Sequence, residues 1–302
     1  MEEQLAVIKT IQPYFVMGTS RFYQYILGKH GISHFYSYEM DKEGLGGAVV
    51  PDGCVDIIFE YGQGALRARV CGTVLRHKFI PSELQKTYFG VRFFPGVCPS
   101  IIDGKLNEFV DREILFSEVA KSVHLLEKMS EAHTFPERIH TFLAEYKRNL
   151  SLEESSSNMG RLLKAMKSII YGTNGEIRIK DIEKHTGYST RYINKIFNAE
   201  LGINPKKFCL IIKFQRFLDH LHGAKAEDIA KLAVDYGYCD QANLIKEFTK
   251  FTNMTPGKYY RMIQELGYND RVINYSQDDS LNGNYIFETN KTKGSRCTPC
   301  VK

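Results

Sequence analysis

No stretch of the 302-residue chain approaches the ~20 consecutive apolar residues that a membrane-spanning helix needs, which excludes such a helix and gives no reason to expect a membrane partner. The opening MEEQLAVIKT is acidic and lacks the basic-then-apolar layout of a secretory signal. Cysteine is sparse and odd in number: seven residues, at 54, 71, 98, 209, 239, 297 and 300, point to reduced thiols in a cytoplasm rather than a secreted disulfide framework. There is no glycine-rich phosphate loop, which disfavours a nucleotide-driven machine. A metal-binding β-barrel of the cupin type would show a His-x-His pair with a downstream glutamate, and His30, His34 and His77 do not form that spacing. Cys54 and Asp56 fall on one face of an expected strand, but no partner base completes a catalytic dyad. These gaps together lead us to expect no enzyme, no metal and no cofactor.

The composition is that of a folded protein, with 43% hydrophobic and 25% charged residues, and the length suits two domains. Charge is divided unevenly. Residues 1–160 carry 17 Lys and Arg against 20 Asp and Glu, whereas residues 161–271 carry 19 against 12. A basic module behind a slightly acidic one suggests that one half meets a polyanion, although solvated lysine faces are common.

The first hundred residues read as strands. Residues 66–70 and 89–93 alternate apolar and polar with period two, as do Val55, Ile57 and Phe59 after the turn signal Pro51-Asp52-Gly53. Short strands with frequent Gly and Pro suggest a sandwich or barrel. The period then changes: Val119, Val123, Leu126 and Met129 recur at helical spacing over 117–130, and a second helix is expected over 136–149 behind Phe135-Pro136. The serine-rich stretch 151–158 reads as a linker, 159–268 as almost all helix, and 269–302 as a disordered tail. Cys297 and Cys300 sit in that tail with no second ligand pair, so a structural or incidental role is expected for them.

Within the helical half lies an internal repeat. Ile179, Ile182, Gly187-Tyr188, Ile193, Phe197 and Pro205 recur as Ile229, Leu232, Gly237-Tyr238, Leu244, Phe248 and Pro256, offset by 50 up to the Gly-Tyr pair and by 51 after it. Each copy parses as a short helix, a turn at glycine and a second helix with one apolar side. The apolar sides are Ile193, Ile196 and Phe197 in one copy and Leu244, Phe248 and Phe251 in the other. Arg191, Asn194, Lys195 and Asn198 are left outward in the first, and Gln241, Asn243, Lys246 and Lys250 in the second. One such copy could be a helical bundle with a solvated face; two in register, both basic and polar outward, favour reading of base edges and phosphates.

The stretch IKDIEKHTGYSTRYINKIFNAELGINPKKF, followed by EDIAKLAVDYGYCDQANLIKEFTKFTNMTPGKYYR, resembles the tandem helix-turn-helix domain of AraC/XylS-type transcription regulators over about 110 residues. Ala233, Gly237-Tyr238, Asp240, Phe248, Thr255-Pro256 and Tyr259-Tyr260-Arg261 stand at family positions. Glu183, Phe217 and Asn253 depart from the family's usual alanine, alanine and glycine. VVPDGCVDIIFEYG and FGVRFFPGVCPS resemble a poorly characterised domain that precedes this module in a subset of these regulators.

The resemblance implies an α+β architecture: a β-rich, cupin-like or barrel domain over 1–150 with helices at its C-terminal side, then an all-α tandem helix-turn-helix domain over 159–268. It implies recognition helices at about 189–200 and 240–251, held by a linker helix at about 206–221. Carried over by position, DNA contacts fall on Arg191, Asn194, Lys195, Asn198, Gln241, Asn243, Lys246 and Lys250, where Lys suits guanine or phosphate and Asn or Gln suits adenine. The implied function is a cytoplasmic, sequence-specific activator or repressor of transcription. Its implied partners are double-stranded promoter DNA, a small-molecule effector, RNA polymerase and a second copy of the chain. The helices at 117–130 and 136–149 suit a dimer contact or plain core packing equally. Two alternatives stand beside this reading. One is an architectural DNA-binding protein without effector. The other is a DNA-alkylation repair methyl acceptor fused to the same module, whose acceptor-cysteine signature is missing here.

Overall fold

A computed structural model describes residues 9–40, 47–80, 86–122, 124–152, 158–224, 236, 238 and 240–275. The architecture is mixed α+β. Seven strands form one sheet: β1 (Thr19–Lys29), β2 (Ile32–Met40), β4 (Asp56–Tyr61), β5 (Arg67–Cys71), β7 (Thr87–Phe93), β8 (Glu113–Leu115) and β9 (Val272–Asn274), in the order β8-β5-β4-β7-β2-β1-β9. All neighbours are antiparallel except β9, which runs parallel to β1. A separate ribbon pairs β3 (Gly47–Val49) with β6 (Lys78–Ile80).

The alternation of the strands sorts side chains onto two faces. Phe35, Ile57, Phe59, Phe89, Val91 and Phe93 pack on one side, where Phe142 of the long helix α5 (Phe135–Leu152) meets Phe35 and Phe59 edge-on and Tyr146 meets Phe93. The other side carries an aromatic row, Phe22, Tyr36, Tyr38 and Tyr88, with neighbouring rings 5.0–6.1 Å apart. It is covered by Phe15 and Val16 of the short helix α1 (Pro13–Met17) and by Val49 of β3. Tyr36 lies directly over Gly90, its partner across the β2–β7 pair; a Cβ there would sit 2.0 Å from the ring, so only glycine fits.

Between sheet and α5 the chain is broken into short pieces. After α2 (Leu106–Phe109), helices α3 (Phe116–Val119) and α4 (His124–Glu131) replace the single helix expected over 117–130. The interruption has a local cause: Ala120 turns extended and forms an isolated bridge with Ile102. α5 covers the second expected helix and runs on through Leu152, so Ser151 and Leu152 are helical, and Asn158 already belongs to the next helix. The intervening 153–157 lie outside the described residues.

The helical half comprises α6 (Asn158–Gly172), α7 (Ile179–Thr186), α8 (Thr190–Leu201), α9 (Pro205–Gly223), α10 (Gln241–Thr252), α11 (Pro256–Glu265) and α12 (Tyr268–Arg271). It does not stand apart from the sheet. One apolar cluster runs from Phe93 and Val55 through Phe208 and Ile211 of α9 to Phe248 and Tyr259. Polar ties reinforce it. The Tyr171 hydroxyl donates to the carbonyl of Pro95, and Lys167 Nζ donates to that of Gly96 at 2.5 Å, where burial pushes the lysine down to about 8. The chain end closes the loop. Arg271 donates to the carbonyls of Met17 and Thr19, β9 pairs with β1, and Tyr275 N–H donates to Gln24 O at 2.8 Å while its ring rests on Phe135. Residues 269–275 are therefore not the start of a disordered tail. Their side chains find apolar partners in the first half of the chain, which a linear reading of a polar stretch does not reveal. Residues 276–302, with Cys297 and Cys300, lie outside the described residues.

Candidate nucleic-acid interface and the cleft behind it

In the first copy, α7 ends at Gly187, which adopts the left-handed φ of 73° needed for the turn and donates to Glu183 O at 2.8 Å. Ser189 then caps α8, its hydroxyl accepting from Tyr192 N–H. Ile193, Ile196, Phe197 and Leu201 are buried, so the opposite side of α8 is fixed as the outward one. Arg191, Lys195 and Asn198 are exposed there; Asn194 is half-buried and donates its amide to Thr190 O at 2.8 Å. In the second copy, Asp240 caps α10 by accepting from Asn243 N–H at 2.6 Å, and Leu244, Phe248, Phe251 and Thr252 are buried. Gln241, Lys246 and Lys250 are exposed and Asn243 is half-buried. The helix and turn expected ahead of it, with Ile229, Leu232, Ala233 and Gly237, lie outside the described residues.

All three departures from the family pattern have a structural account. Glu183 reaches across the turn and accepts from both the N–H (3.2 Å) and the hydroxyl of Thr190, so it clamps α7 to the start of α8. Phe217 is fully buried and meets Tyr236, Tyr238 and Phe248 edge-on at 5.7–5.9 Å. Asn253 takes the left-handed C-cap of α10 with φ 58°, which asparagine tolerates better than other side chains, and its amide lies 3.2 Å from His77 Nδ1.

The two modules hang on α9, of whose 19 residues 12 are buried. Gln215, at its centre, is a two-way tie to the first half: it accepts from Ile11 N–H and donates to Pro51 O, both at 2.9 Å. Lys207 at the start of α9 donates to Leu75 O at 3.0 Å. Burial and the nearby cations Lys250 and Arg76 push this lysine down to about 8.

Above the aromatic face of the sheet lies a narrow, partly open cleft with room for a few water molecules. Phe15, Tyr38, Tyr88 and Ile58 give it apolar walls; Arg69 and Lys78 bring cations. Arg69 is held by Glu60 (2.5 Å) and Glu113 (2.9 Å), yet its Nε is buried without a partner. At the cleft's inner end is an ionic group that sequence reading missed. Arg92 donates to Asp56 from Nε at 2.8 Å and from Nη2 at 2.5 Å, with Asp52 at 3.3 Å. Burial opposes the charge on Arg92, but the two carboxylates outweigh it and hold the guanidinium protonated; burial conversely raises Asp52. Asp56 thus partners an arginine, not a base. Burial also pushes the Cys54 thiol well up, the opposite of what a nucleophile needs. Among the described residues no group of three or more His, Cys, Asp or Glu is placed to hold a metal ion, and no helix is long and apolar enough to cross a membrane.

Comparison with known proteins agrees with the turn, caps and buried faces. Residues 182–262 match the family described as a helix-turn-helix domain. The C-terminal half thus carries an AraC-type helix-turn-helix domain. Residues 29–115, ahead of the AraC-type domain, match the family described as a domain of unknown function (DUF6597). No curated protein matches the chain. Among solved structures it is similar to ToxT from Vibrio cholerae O395, at 11% identity over 78% of this chain and 98% of that one, with a TM-score of 0.43. It is also similar to ToxT from Vibrio cholerae in a second crystal form, at 10% identity over 76% and 97% with a TM-score of 0.41. A third ToxT structure, from Vibrio cholerae with an unsaturated fatty acid bound, aligns at 10% over 81% and 94% with a TM-score of 0.38. The AraC-type domain makes this chain a DNA-binding transcription regulator.

Proposed function

We propose that this regulator recognises specific promoter sequences and that a small molecule bound in the cleft adjusts how tightly it does so. Arg191, Asn194, Lys195 and Asn198 meet DNA through α8; Gln241, Asn243, Lys246 and Lys250 do so through α10, with the lysines mainly on phosphates. No step of this function is enzymatic. The regulator works in a cytoplasm, in keeping with the free thiols of Cys54, Cys71, Cys98 and Cys209. RNA polymerase and a second copy of the chain are partners at the promoter.

The observation that supports effector control is the placement of α1. Gln12 and Phe15 line the cleft, while Ile11 and Tyr14 of the same segment touch the DNA-binding half. Ile11 N–H bonds Gln215, and the Tyr14 hydroxyl donates to Thr252 O at the end of α10. One turn of helix is therefore a shared wall, and a molecule that displaces Phe15 also moves Tyr14. An effector's differential affinity for the two positions of α1 sets the size of the response.

The test is a melting-temperature screen of the full chain against small amphipathic molecules, followed by DNA-binding curves. A compound that stabilises the chain should change its affinity for a selected duplex, and Tyr14→Phe should weaken that change while preserving the compound's own stabilising effect. Compounds that stabilise strongly, compete with one another and leave DNA affinity untouched would overturn effector control.

A further inference from the structure

The caps set the register between the two recognition helices. Ser189 and Asp240 are their N-caps and Gly202 and Asn253 their left-handed C-caps, and both pairs lie 51 residues apart. The buried residues agree: Ile193 answers to Leu244, Phe197 to Phe248 and Leu201 to Thr252. On this register the outward stripe of α8, Arg191, Asn194, Lys195 and Asn198 at i, i+3, i+4 and i+7, answers to Ala242, Ile245, Lys246 and Thr249 of α10. The two stripes share one lysine and differ in everything else. The first offers hydrogen-bonding groups. The second is apolar around its lysine: Ala242 is exposed, Ile245 is 37% exposed, and Thr249 turns its hydroxyl inward, where Oγ1 is buried without a partner.

A single exposed isoleucine needs no explanation. Here it lies between two further methyl-bearing side chains on the face equivalent to that of Arg191, and α10 already buries Leu244, Phe248 and Phe251 on its other side. The core therefore does not account for Ile245. In the major groove one base displays an apolar group, the C5 methyl of thymine, and alanine, threonine methyls and larger apolar side chains are what contact it. We infer that the second module selects thymine through Ala242, Ile245 and Thr249, while the first reads hydrogen-bonding patterns, so that the two half-sites obey different rules. The inference rests on the sequence-specific regulator reading.

The experiment takes duplexes enriched from a random pool by the full chain and replaces each thymine singly with deoxyuridine, which removes only the methyl group. One or two exchanges within one half-site should weaken binding about 3- to 5-fold, the size expected for one methyl leaving an apolar contact. In Ile245→Ala, with folding checked by melting because the side chain is 37% exposed, the loss on exchange should shrink, since the shorter side chain reaches less of the thymine methyl. Ile245→Asn should lose the methyl dependence and shift enrichment away from thymine in that half-site. Arg191→Ala should retain it. Enriched duplexes that tolerate every exchange, or a methyl dependence that persists undiminished in Ile245→Ala, would overturn the stripe alone. Failure of the pool to enrich any sequence would overturn the regulator reading and the stripe with it.

Discussion

Gln215 is the point where the two halves of the molecule depend most directly on one amide. It is completely buried, accepts from Ile11 N–H and donates to Pro51 O. Gln215→Leu keeps the volume nearly constant and removes both bonds, so the loss is electrostatic and not a cavity. Two buried backbone groups are left unpaired, each at about 1–3 kcal/mol, for an expected total of about 2–6 kcal/mol. Since Ile11 opens the segment that leads into α1 and Pro51 opens the turn before β4, the loss falls on the junction and not on either half's interior. Urea unfolding followed by two probes, far-ultraviolet dichroism and tyrosine fluorescence, should give coincident transitions in the parent. In Gln215→Leu the midpoint should fall and the two curves should separate, because the helical half now opens before the sheet. A variant that unfolds at the parental midpoint with coincident curves would show that the apolar cluster alone couples the halves, and the tie at Gln215 would then be incidental.

Two more outcomes follow from the same structure. His222, buried with its Nε2 2.6 Å from the Tyr259 hydroxyl, is lowered to about 3, by burial first and by Lys9 second. A folded value below the unfolded ~6.5 means that its contribution is complete above pH 6.5 and is lost as the pH falls toward 3. Between pH 6.5 and 5 it should cost about 2 kcal/mol, and His222→Gln should flatten the urea midpoint over that interval relative to the parent; parallel pH curves would refute this. Ending the chain after Arg271 removes β9 and the Tyr275 ring from Phe135 and should cost about 2–4 kcal/mol, whereas ending it after Tyr275 should leave melting and DNA binding unchanged; equal melting of the two truncations would dismiss the role of β9.

What the sequence disclosed and what it hid follow the range of the interactions involved. Strand alternation and the polar caps act over a few residues. Residues 55–59, 66–70 and 89–93 accordingly appear as β4, β5 and β7, and the recognition helices begin one residue past Ser189 and Asp240. The long-range ties leave no such mark. Arg92, Asp52 and Asp56 look like ordinary surface charges until β4 and β7 pair and bring Asp56 opposite Arg92. Gln215 reads as one more polar position on a helix, and Val272-Ile273-Asn274 is too short to announce a strand. The outward face of α10 was obscured for another reason. Selecting polar residue types finds Gln241, Asn243 and Lys250, which by the caps answer to Thr190, Tyr192 and Ala199 of α8 and so flank the stripe of Ala242, Ile245 and Lys246 as further groups within reach of DNA.

These constraints bear on how the regulator can respond to a ligand. The 19 residues of α9 span about 28 Å at 1.5 Å per residue, short of the ~34 Å between successive major-groove faces of straight B-DNA. A helix buried along most of its length, pinned by Gln215 and Lys207, cannot stretch to make up the difference. Unless α8 and α10 tilt outward, we expect the duplex to bend or one module to dominate, and either outcome would make occupancy sensitive to small changes in the angle between α8 and α10. Among the described residues α1 reaches the end of α10 through Tyr14 and makes no hydrogen bond to α8, so we expect movement in the cleft to act on one module more than on the other. A shift too small to alter the fold would then alter the fit to DNA, and the half-site read through Ile245 and Lys246 is the one that would feel it more.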